Sequence, residues 1–109
     1  VLRFCGFELE LFVDEILTRE NGPTVCCGRD FAGGLWLIVQ VDDHPDRLAW
    51  MCAPASVQAI QAVRDRNASP ADVLRHSATG MVELVTIDHG RALPDRCLPC
   101  ASVPGQLST

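Results

Sequence analysis

Thiols, imidazoles and carboxylates are the side chains in this sequence able to do chemistry, and their most suggestive spacing is Cys97-Leu98-Pro99-Cys100. Two thiolates three residues apart can grip one zinc ion when a turn brings them together. Two more ligands are needed, and His89, Asp88 or a distant Cys would have to supply them. Cys97, Cys100 and His89 are therefore the metal-ligating candidates. The simpler reading is two independent thiols in a Pro-rich tail, so no cofactor is expected and zinc is the alternative. A thioredoxin-like redox role requires the first Cys at a helix N-terminus, which the following Ala101-Ser102-Val103-Pro104-Gly105 does not provide.

The remaining constellations are weaker. Asp42-Asp43-His44-Pro45-Asp46, with Asp88-His89 elsewhere, offers oxygen ligands for a divalent cation but lacks calcium-loop spacing, and reads as a solvated loop. Gly28-Arg29-Asp30-Phe31-Ala32-Gly33-Gly34 resembles a phosphate loop in its glycines alone. A phosphate loop ends in Lys and Ser or Thr and opens a helix, whereas Leu35 opens an apolar strand. Glu8, Glu10, Asp14 and Glu15 form a solvated acidic face that could meet a basic partner. A Cys nucleophile with one of the three His has no local signature. Catalytic residues are thus unassigned, and an enzyme would need a site assembled from scattered positions.

At 109 residues the chain has room for one domain, residues 1–109, and one core. With 48% hydrophobic and 21% charged residues it is far from the composition of disordered chains. All nine basic residues are Arg, which reads as the coding bias of a GC-rich bacterial genome. Net charge is −5, and residues 1–50 hold nine acids against four Arg, so nucleic-acid binding is not expected. No run approaches the roughly 18 apolar residues that span a bilayer, and no signal-like core precedes Glu8. A cytoplasmic location follows as the expectation, with the six Cys serving as small buried hydrophobes.

Positioning of these groups falls to a strand meander between Pro23 and Ala53. Its middle run, Leu35 to Val41, is mostly apolar on both faces, as in a central strand covered on two sides. Strands are expected at Thr24–Arg29 and Arg47–Ala53, joined by Asp30 to Gly34 and by Asp42 to Asp46. Residues 7–17 fit helical and strand spacing alike, leading into a strand near Glu15 to Arg19, with a turn at Asn21-Gly22-Pro23. Ser56 and Ser69-Pro70-Ala71-Asp72 mark two helix starts. Met81 to Ile87 reads as the last strand, and the Pro-bearing residues 93–109 as an extended strap. The expectation is an α+β domain: an antiparallel sheet of four or five strands, with two helices inserted before the last.

The turn Asn21-Gly22-Pro23, the run Leu35 to Val41, the helix starts at Pro54-Ala55-Ser56 and Ser69-Pro70-Ala71-Asp72, and the tail Leu93-Pro94, Leu98-Pro99, Gly105-Gln106-Leu107 resemble a family of small bacterial proteins of unknown function. The resemblance spans roughly residues 9 to 108 and implies no catalytic residue. Cys97 stands where that family would have an aromatic, and Cys26-Cys27 where it would have larger apolar residues, which places these thiols in the core. The functional expectation is a non-enzymatic protein-interaction or regulatory module. Its partner is another protein or a second copy, the latter through an uncovered sheet edge.

Overall fold

A computed structural model describes residues 3–5, 10–18, 24–93 and 96–103. The strands are β1 (Arg3–Cys5), β2 (Glu10–Thr18), β3 (Val25–Arg29), β4 (Leu35–His44), β5 (Arg47–Pro54), β6 (Met81–Asp88), β7 (Arg91–Ala92) and β8 (Arg96–Pro99). Between β5 and β6 lie helices α1 (Val57–Arg64) and α2 (Pro70–Arg75). All pairings are antiparallel, running in order from β1 to β6, and β7 and β8 both pair with β6. The α+β expectation holds. Among the described residues the sheet has eight strands rather than four or five, because short segments pair at both edges.

Residues 10–18 form one strand, so alternation outweighs the helical spacing, and pairing begins well before Glu15. Its register with β3 shifts between Val13 and Glu15 and again between Ile16 and Thr18. Such bulges bend a strand and increase its twist. Asp42, Asp43 and His44 are not loop: after a register shift beyond Gln40 the ladder continues to the pair His44 and Arg47, leaving Pro45 and Asp46 as the turn. The tail is not merely a strap. Arg96–Pro99 pairs with β6, and a 3-10 turn at Cys100–Ser102 then buries Val103 against the helices' side of the core. The Asn21-Gly22-Pro23 turn, Glu8, Pro94 and the tail after Val103 lie outside the described residues.

As its two apolar faces indicate, β4 sits in the middle of the sheet. On one face Val25, Cys27, Leu37, Val39, Ala53 and Val82 pack against Ile60 and Val63 of α1 and Ala71 and Leu74 of α2. The other face gathers Leu11, Cys26, Ile38, Trp50, Cys52 and Val85. Trp50, on the strand beside that of Trp36, is buried, and Trp36 is half-buried. Both caps form: Ser56 Oγ accepts from the Ala59 amide at 3.0 Å and Ser69 Oγ from the Asp72 amide at 3.1 Å. Each satisfies an amide that the first turn leaves without an intrahelical partner. Ile60 and Val63 face the core as expected, while Val57, the first helical residue, is exposed.

Candidate interaction site

The metal candidates do not converge. Cys97 lies opposite Glu83, which lies opposite Cys52, so Cys97 belongs to the face of the Trp50 cluster. Cys100 packs on the helix-side cluster instead. Three steps of extended chain, at about 3.3 Å each, put the two Cα atoms roughly 10 Å apart, and an odd number of steps turns the side chains to opposite faces. His89 follows the far end of β6, with its Nδ1 3.0 Å from Asp88 Oδ1. Among the described residues no three His, Cys, Asp or Glu side chains group as they would around a metal ion.

Cys26, Cys27 and Cys52 are buried as the composition implies, but Cys97 is exposed, contrary to a core role. Partial desolvation and the neighbouring Glu83 carboxylate raise the Cys97 thiol pKa, the reverse of what activates a nucleophile. Burial, then the Glu15 carboxylate, does the same to Cys27.

Of the acidic face, Asp14 and Glu15 are paired within the chain. Arg29 Nε donates to Asp14 at 2.9 Å, and Arg64 reaches both oxygens of Glu15 at 3.2 and 2.7 Å. These exposed pairs add little stability. Their consequence is that Asp14 and Glu15 have cations of their own, which weakens the case for a basic partner there.

The β3–β4 turn falls at Asp30 to Gly34 as the sequence indicates, but sequence reasoning does not mark it as a site. Asp30 organises it: its Oδ1 accepts from the amides of Ala32 at 3.0 Å and Gly34 at 2.7 Å, and its Oδ2 from Trp36 Nε1 at 2.8 Å. Arg29 adds a bond to the Gly33 carbonyl at 3.1 Å. Gly33 takes the left-handed conformation, φ +87°, whereas a Cβ at Gly34 would come within 2.8 Å of the Asp30 carboxylate and displace it from its bonds to the loop. On this braced loop Phe31 is 84% exposed, touching Phe12 with ring centroids 6.3 Å apart. The available signal was an aromatic inside a Gly-rich turn, outside any apolar period.

Trp36 first, then the Gly34 amide, hold the Asp30 carboxyl below its ordinary pKa. A carboxylate with a depressed folded-state pKa contributes stability that is present above the unfolded value and lost as pH falls through the folded one. The Trp36 indole N–H resonance should therefore shift in acid below the usual carboxylate range, and Asp30→Ala should abolish the shift at a cost of about 1 kcal/mol, solvent exposure limiting it. An unchanged titration in the variant would show that Asp30 does not hold the loop.

Beside the tip a groove of about 630 Å³ opens between α1 and α2, with Pro54, Ala55, Ala59 and Val73 inside and Asp72, His76 and Ala78 at its rim. His76 Nδ1 donates to the Asp72 carbonyl at 2.8 Å, since a carbonyl can only accept, which fixes the ring. The groove and the tip share one end of the sheet: Pro54 pairs with Trp36, and the Ala55 amide donates to the Leu35 carbonyl at 3.0 Å. No family model, curated protein or solved structure matches the chain. No helix among the described residues is long and apolar enough to cross a membrane.

Proposed function

We propose that this chain is a non-enzymatic protein-interaction or regulatory module, and that its contact surface is the sheet end bearing the β3–β4 tip and the α1–α2 groove. The observation that carries the reading is Phe31, a large apolar side chain left in solvent on a loop that Asp30 and Arg29 hold fixed. Burying such a ring is worth about 1.5–3 kcal/mol. A contact loop that is already ordered loses little conformational entropy on binding. Exposed, preorganised aromatics are the side chains around which binding energy concentrates.

A photo-crosslinking amino acid placed at position 31 in cells tests this. Adducts with discrete protein bands, absent when the same group replaces the likewise exposed Arg66, are expected. Labelling no stronger at position 31 than at position 66 would sink the reading.

A further inference from the structure

We infer that the surface at this end of the sheet is self-complementary: Phe31 of one copy enters the α1–α2 groove of a second copy, and reciprocally, in a two-fold dimer. This rests on the interaction reading above and names the partner as a second copy of this chain. Knob and hole lie side by side, because the strand that leaves the tip is bonded to the residues that open the groove. They also share a face. Phe12, against which Phe31 rests, lies opposite Arg29, and alternation puts Arg29 on the side of Cys27 and the helices. A patch that carries both halves of a contact closes with a two-fold axis after one partner, rather than growing into a chain.

Chemistry at the two halves agrees. The groove interior is aliphatic, and the charges around the tip are already engaged: Asp14 with Arg29, and Asp30 with the loop amides and Trp36. At the groove's mouth Asp72 lies 3.6 Å from Arg75, so insertion of Phe31 between the aliphatic walls would leave no ion without a partner. The sheet edges are poorer candidates. Among the described residues short β1, β7 and β8 line them, and β2 is twice bulged and bears the paired Asp14 and Glu15. Short, bulged and charged edges resist pairing with another chain.

Sedimentation equilibrium of the purified chain tests the inference with two variants at exposed positions, Phe31→Ser and Ala78→Trp, the second to block the groove. The wild-type chain should dimerise, and each variant alone should raise the dissociation constant by about tenfold or more. Mixing the two variants should restore part of the association, since a mixed dimer keeps one of the two Phe31–groove insertions whereas neither variant alone keeps any; unchanged circular dichroism would confirm that both fold. A wild-type monomer at millimolar concentration, or Phe31→Ser dimers as tight as wild type, would overturn the inference. Specific crosslinking from position 31 to a different protein, with a monomeric wild type, would overturn it while leaving the interaction reading intact.

Discussion

Trp50→Ala should cost about 3–5 kcal/mol of folding stability, the largest loss expected from a single side chain here. Trp50 is only 8% exposed and sits between Gln40 on β4 and Val85 on β6, on the face that carries no helix among the described residues. Its ring is the bulkiest member of a cluster whose other members are Leu11, Cys26, Ile38, Cys52 and Val85. Several of these are small, so truncation leaves a cavity they cannot fill. Urea denaturation should show the midpoint falling with the slope unchanged, the mark of lost stability without altered compactness of either state. A loss below about 1 kcal/mol would mean that the second face is not a core at all.

Gly28→Ala should destabilise by about 1–3 kcal/mol, toward the upper end, although the same change inside a strand ordinarily helps. Gly28 lies on the face of the Trp50 cluster between Val13 of β2 and Trp36 of β4. A Cβ there would approach the Phe12 carbonyl oxygen to 2.6 Å and Ile38 Cδ1 to 3.2 Å. The first neighbour is backbone, held in β2 by pairing on both sides, with Arg3 and with Arg29. It can retreat only by loosening those ladders. Neutral or increased stability in the same denaturation assay would show that β2 can move away from β3 without loss.

The parts of this fold legible in the sequence are those where one local signal has one physical cause. Leu35 to Val41 announced a strand buried on both sides because both alternating sets are apolar, and Ser56 and Ser69 announced helix starts because a hydroxyl at that position meets a free amide. The tail was misread because three prolines argued against a strand. Pro99 is nonetheless accommodated at the end of an edge strand, where a missing N–H need not break the ladder. Cys97 and Cys100 stand out by their spacing, but close spacing means proximity only in a turn, and in an extended strand an odd step means opposite faces. Phe31 was invisible because composition cannot distinguish an aromatic that fills a core from one held out by the loop around it.

The insertion of α1 and α2 between two neighbouring strands has a consequence for the chain as it is made. Cys52 of β5 pairs with Glu83 of β6, 31 positions later (83 − 52), whereas β4 and β5 meet across a turn at Pro45 and Asp46. The β3–β4–β5 meander can therefore close from local contacts, while the far side of β5 waits for a strand not yet synthesised. At about 5–20 residues per second, translation leaves that side open for roughly 2–6 s. For that interval Trp50 and Cys52 flank an unpaired apolar edge, and the nascent chain is at its most vulnerable to aggregation before the protein is complete.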